Sequence, residues 1–279
     1  MIMINWGLSF KKQIFYVLAI LLLIISGIIA ASGYVPSSYY SFSAIFIIIL
    51  ALPSLYGLYV GISRQRVYLL IILLSIYSFT IELVAISTGF PYGQFSYSTY
   101  IGYKIFDLVP WTLPFAWIPL IIFSYVSASL ILKLDRVKKI TPKFFLNQPN
   151  YLRIILSVLI LVYLDLIIDP GAVALMFWHY SYPIGFYGVP LSNFIGWILS
   201  ATMGNLLLTA IISKMEMKLY KSFYYFKLSI YAILIFWTTV CVVKLLIIPA
   251  VLGIIPISLL VNKQISQGLT FLKNKLLKS

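Results

Sequence analysis

"VYLLIILLSIYSFTIELVAISTGFPYGQFSYSTY" (Val67–Tyr100) changes character at its middle. From Val67 to Thr88 the run is apolar, apart from a few hydroxyls and one charge, Glu82. A helix needs about 20 such residues to cross the hydrocarbon of a bilayer at about 1.5 Å per residue. The second half, "STGFPYGQFSYSTY" (Ser87–Tyr100), carries no charge and is crowded with Gly, Pro, Tyr, Phe and Ser. The stretch therefore reads as a membrane helix that bears a carboxyl group near its end and opens into a long aromatic loop.

The rest of the chain repeats the first half of that pattern. Of 279 residues 62% are hydrophobic and only 9% charged, with a mean hydropathy of +1.05. A soluble domain carries about 25% charged residues. Backbone polar groups in lipid must be satisfied within each segment, which leaves helices or closed barrels. The long Leu/Ile runs lack the two-residue alternation of a barrel. The fold class is therefore all-α, a polytopic membrane helix bundle forming a single integral domain over residues 1–279. Spans are expected near 13–32, 41–61, 67–88, 111–132, 152–169, 191–213 and 228–248. The apolar piece 249–261 could form an eighth, short span, a re-entrant segment or the end of a kinked seventh helix. The first run lacks a small-residue cleavage site and reads as a retained helix.

Net charge is +14. In so apolar a chain these charges orient helices and meet anionic lipid, and nucleic acid is not an expected partner. Arg64, Arg66, Lys133, Arg136, Lys138, Lys139, Lys143, Arg153, Lys214, Lys218, Lys221 and Lys227 fall in or beside alternate loops, on the same side as Lys11 and Lys12. The intervening loops, 33–40, 89–110 and 170–190, hold Lys104 alone. The basic side is expected to be cytoplasmic, giving a multi-pass cell-membrane protein with its N-terminus inside. A basic tail (Lys263, Lys273, Lys275, Lys278) on the same side favours eight crossings.

Two loops on the poorly charged side look alike. Glu82 precedes "GFPYG" (Gly89–Gly93) and "VPWTLPFAW" (Val109–Trp117). Asp165 and Asp169 precede "GFYG" (Gly185–Gly188) and "VPLSNFIGW" (Val189–Trp197). Each unit has acid near a helix end, a Gly/Tyr turn, a Val-Pro helix start and a Trp eight residues after that Val. An interfacial aromatic belt accounts for a few of these rings. It does not account for uncharged loops this long, which tend to be functional.

The chain has six acids. Asp135 and Glu216 sit among lysines, and Asp107 lies in a loop. Glu82, Asp165 and Asp169 lie at membrane depth, where ionisable groups are costly and usually face a cavity or a partner. Asp165 and Asp169 are four apart and share a helix face. Two carboxylates held together in low dielectric cannot both ionise cheaply, so one is expected to keep its proton. The alternative for Asp169, which stands before Pro170, is that it only ends a helix. His179 is the one histidine and Cys241 the one cysteine, which leaves no ligand set for zinc or iron chemistry.

Taken together, the motifs "TGFPYGQFSYS", "VPWTLPFAW", "LDLIIDPGAVALMFWHYS" and "GFYGVPLSNFIGW" resemble the membrane carotenoid biosynthesis proteins that include the C50 carotenoid hydratases and the carotenoid 1,2-type hydratases. The resemblance covers about residues 79–205. It implies a carbon–oxygen lyase, a hydratase adding water across a terminal isoprenoid C=C of an acyclic carotenoid, with other carotenoid-synthesis enzymes as neighbours.

The residues suit that chemistry. A neutral carboxyl protonates the alkene, a second carboxylate positions water, and aromatic faces stabilise the tertiary cation by about 0.5–2 kcal/mol each. No cofactor or metal is demanded. The catalytic candidates are Glu82, Asp165 and Asp169. The candidate wall for a lipid-soluble polyene is Tyr92, Phe95, Tyr97, Trp111, Trp117, Trp178, His179, Tyr187, Asn193 and Trp197. A carotenoid end-group cyclase would use the same protonation while excluding water. The D-x-x-x-D spacing of Asp165 and Asp169 could also hold Mg²⁺ in a prenyltransferase. A lipid or small-molecule transporter is the alternative of another class.

Overall fold

The computed structural model describes residues 10–33, 40–142, 149–212 and 216–259. Helices α1 (Phe10–Ser32), α2 (Tyr40–Gly61) and α3 (Arg64–Thr88) are followed by the first aromatic loop. That loop carries strands β1 (Phe95–Tyr97), β2 (Lys104–Ile105) and β3 (Val109–Pro110). Then come α4 (Leu113–Ile131), a short α5 (Asp135–Ile140) and α6 (Pro149–Ala174). The second loop carries β4 (Trp178–Tyr180) and leads to α7 (Leu191–Ile212), a short α8 (Glu216–Lys221) and α9 (Phe223–Val243). A final short helix, α10, spans Ile247–Leu259.

Seven of these helices are long and apolar enough to cross a bilayer. The bundle expected from hydropathy is therefore present, with two differences in its elements. Helix α6 does not stop at Asp169. It runs through Pro170 to Ala174, so Asp169 faces the bundle from a continuous helix. Proline is tolerated there because neighbouring groups in a membrane bundle can satisfy the backbone it frees. The same device is visible at Pro53 in α2, where the next backbone N–H, that of Ser54, donates to Ser229 Oγ on α9 at 3.0 Å. The second difference lies at the C-terminal end. The expected 228–248 helix is instead Phe223–Val243, broken before α10. At about 1.5 Å per residue α10 is about 20 Å long, short of a hydrocarbon core of about 30 Å. It begins beside the second loop, where Tyr187 accepts from Ile248 N–H at 3.2 Å, and Tyr163 of α6 donates to Leu252 O at 2.6 Å. The basic tail, Lys143 and Lys214 lie outside the described residues.

Packing centres on α4, which touches α2, α3, α6, α7 and α9. Its buried residues lie all around the helix, as expected of a helix with no lipid face. Helices α3 and α4 pair through the first loop and α6 and α7 through the second; α4 also packs on α6 and α3 on α7. The two loop units thus form a four-helix core with both loops at one end. Helix α9 packs against this core and holds α1 and α2 on its other flank. Small residues allow the close approach: a side chain at Gly27 would collide with Thr239, and one at Gly57 with Phe226.

The two aromatic loops join. β1 and β4 pair antiparallel, with Phe95 opposite Tyr180, Ser96 opposite His179 and Tyr97 opposite Trp178. An antiparallel ladder has a local two-fold axis, here at the Ser96–His179 pair. Tyr97 follows Glu82, and Tyr180 follows Asp165, at the same spacing of 15 residues. The repeated sequence unit therefore has a structural counterpart, two helix–loop–helix halves meeting in one ribbon.

Candidate active site

The site lies beneath that ribbon. Glu82 stands near the end of α3, which stops when Gly89 turns to φ 79° and returns its N–H to Ala85 O. A positive φ of this kind is open to glycine at little cost. The chain then folds back through "FPYG" and brings Tyr97 over the helix end, where its hydroxyl donates to Glu82 Oε2 at 3.0 Å. In the second half the Tyr180 hydroxyl donates to Asp169 Oδ2 at 3.2 Å. Asn193, in the first turn of α7, donates through Nδ2 to Asp169 Oδ2 at 2.5 Å and to Asp165 Oδ2 at 3.2 Å. Both aspartates thus share the Asn193 amide. All three acids, both tyrosines and Asn193 are buried. Burial pushes the Tyr97 and Tyr180 hydroxyls well above the ordinary tyrosine range, so both remain protonated donors.

Strand alternation decides which ring faces the acids. Neighbouring residues on a strand point to opposite sides. Phe95, Tyr97, Trp178 and Tyr180 point inward and line the cavity. Ser96 and His179 point outward, exposed, and bond each other at 2.9 Å between Oγ and Nε2. Below the ribbon, Trp117 and Trp197 stack with centroids 4.7 Å apart and planes 28° from parallel. They come from equivalent positions of the two halves. Tyr92 packs edge-on to Phe95, and its hydroxyl makes a short hydrogen bond to Ser200 Oγ.

These groups share one cavity of about 660 Å³. Its polar end holds Glu82, Asp165, Asp169 and Asn193; the remaining wall is overwhelmingly apolar. Ten of the thirteen residues expected at the site line it: the three acids, Tyr92, Phe95, Tyr97, Trp117, Trp178, Asn193 and Trp197. Trp111, His179 and Tyr187 stand off the wall. Trp111, in the loop, packs edge-on to Phe115 of α4, His179 caps the outer face of the ribbon, and Tyr187 braces α10. Asp107 is likewise exposed in the loop. Tyr180 was not among the expected residues, although its 15-residue offset from Asp165 matches that of Tyr97 from Glu82. Phe46 of α2 and Ile233 and Phe236 of α9 also line the cavity. As ordinary apolar residues of spanning helices, they carry no sequence signal.

What this arrangement can do follows from its parts. It offers carboxyl groups held by neutral donors, beside stacked aromatic faces, in a largely apolar cavity. Such a set can give and take protons and tolerate a transient carbocation. Among the described residues no group of three or more His, Cys, Asp or Glu side chains is arranged to hold a metal ion.

Fold and site define a polytopic α-helical membrane protein with a buried acid–tyrosine pocket. The chain belongs to the carotenoid biosynthesis protein family, which matches residues 39–260. It is 36% identical over 159 residues to a bisanhydrobacterioruberin hydratase of Haloarcula japonica, covering 57% of this chain. The matched stretch spans half the length of that relative. No solved structure matches the chain.

Proposed function

We propose that this protein is a carotenoid hydratase that adds water to the terminal C=C of an acyclic carotenoid. The observation that carries this reading is the placement of Glu82, Asp165 and Asp169, each with a neutral hydrogen-bond donor, at the polar end of one apolar cavity. The family and the relative's hydratase activity support the same class of substrate.

The chemistry balances without an oxidant or reductant. Asp165 and Asp169 are buried together and share the Asn193 amide; two such carboxyl groups do not both ionise cheaply, so in this reading the pair is the donor. Its proton passes from carboxyl oxygen to the less substituted, CH carbon of the terminal alkene, and the π electrons form the new C–H bond. The tertiary cation left behind faces the inward rings of the ribbon. Water attacks it, and the carboxylate facing the water takes the released proton. In this reading Glu82, held by Tyr97 in the opposite half, positions that water. The net change is the addition of one water per end group.

Cyclisation would begin with the same protonation, so mass separates the two outcomes. The chain is expressed in a host that accumulates an acyclic C40 carotenoid, and the pigments are analysed. Products heavier by one or two waters are expected. New pigments of unchanged mass would contradict hydration in favour of ring closure, and an unaltered pigment profile would contradict both.

A further inference from the structure

The cavity wall includes residues whose other faces look outward from the bundle. Ile29 of α1 and Phe42, Ile45 and Ile49 of α2 all line it. Their exposures are 52%, 60%, 51% and 54%, although they stand on membrane-spanning helices. The cavity is not enclosed, and these half-exposed wall residues place α1 and α2 at its rim. The reason lies in the packing. α1 is held mainly by α9, and α2 by α9 and α4, with contacts such as Gly27 against Thr239 and Gly57 against Phe226, rather than by each other.

We infer that the space between α1 and α2 is a lateral portal through which one end of an acyclic polyene enters from the bilayer while the rest of the chain stays in lipid. This rests on the hydratase reading for the identity of the occupant. Cavity size supports it. About 660 Å³ is in the range of sites that enclose a drug-sized ligand, enough for the end group of a polyene and the chain next to it. Polarity supports it too. The acids are buried whereas the α1–α2 rim is half exposed, and Phe46, Ile233 and Phe236 line the same cavity. A hydrocarbon with one reactive terminus fits that gradient, whereas a molecule with a charged headgroup would have to drag it past these rings.

Photocrosslinking tests the portal. p-Benzoylphenylalanine replaces Ile45 or Ile49 at the rim, and Ile76 or Val84 on the exposed face of α3 as controls. The proteins are placed in phosphatidylcholine–phosphatidylglycerol nanodiscs with lycopene as the probe. Adducts at 45 and 49 are expected to exceed those at 76 and 84 by about tenfold or more, as a binding preference of about 1.4 kcal/mol would give. Ala116→Trp, which fills the cavity behind the rim, is expected to abolish that excess. Equal yields at all four positions would overturn the portal, as would rim adducts that survive Ala116→Trp. Should that variant insert poorly, dependence on lycopene concentration decides instead. Occupied portal sites saturate; lipid-dissolved probe gives a yield that keeps rising. The adducts need no turnover, so failure of hydration with adducts intact overturns the functional reading and leaves the portal standing.

Discussion

At the scale of single residues, the three acids were the most legible part of the site. Ionisable groups at membrane depth are rare because they are costly there, so Glu82, Asp165 and Asp169 stand out in a chain with only six acids. Their partners were harder to read. Tyr97 and Asn193 were among the expected wall residues, but nothing in the sequence showed that their polar ends meet carboxylates. His179 stands between two inward residues, and its outward direction became definite only when β4 paired with β1. The acids' work can be tested without changing their shape. Glu82→Gln, Asp165→Asn and Asp169→Asn keep the side-chain volume and remove proton exchange. At least two of the three are expected to lower product formation by about 100-fold or more, the usual contribution of a general acid or base. The amount of folded protein in membranes should change little. Hydrate measured against the inserted protein checks this. Normal turnover by all three would reduce the carboxyls to structural helix-end groups.

At the scale of elements, hydropathy located the spanning helices because each must hide its backbone from lipid. It misplaced the end of α6 because Pro170 signals a stop in water and much less so in a membrane bundle. It also merged α9 with the start of α10, since both are apolar and the break at 244–246 is marked only by Lys244 and by Leu245, which takes a φ of 58°. The joining of the two loops was legible only as a likeness of motifs. Their positions depend on close contact. Gly196 of α7 lies against the "FPYG" turn, where an added Cβ would collide with the Tyr92 ring and come within 2.9 Å of Pro91 O. A backbone carbonyl cannot move aside cheaply. Gly196→Ala is therefore expected to destabilise the protein by about 1–3 kcal/mol, as overpacking does. Gly204→Ala, whose Cβ would meet the flexible end of Ile121 at 3.0 Å, should cost less. Thermal midpoints of the two variants in detergent check the order, and equal midpoints would show that the turn is free to shift.

At the scale of the whole molecule, the two loop halves build the acid end of the cavity, and α1, α2 and α9 build the apolar route to it. Repetition accounts for the first part: Tyr97 and Tyr180 occupy matched positions, as do Trp117 and Trp197. It does not account for the second, since the flanking helices differ from the core in no residue type that marks function. The central claim is that this architecture protonates a terminal alkene and lets water, rather than a second alkene, capture the cation. The direct measurement is the fate of isotope. Membranes containing the protein are given an acyclic polyene in deuterium oxide enriched in oxygen-18. The account predicts a tertiary alcohol with one heavy oxygen on the former alkene carbon and one deuterium on its neighbour. A ring-closed product with deuterium and no oxygen, or an alcohol whose oxygen is unlabelled, would contradict it.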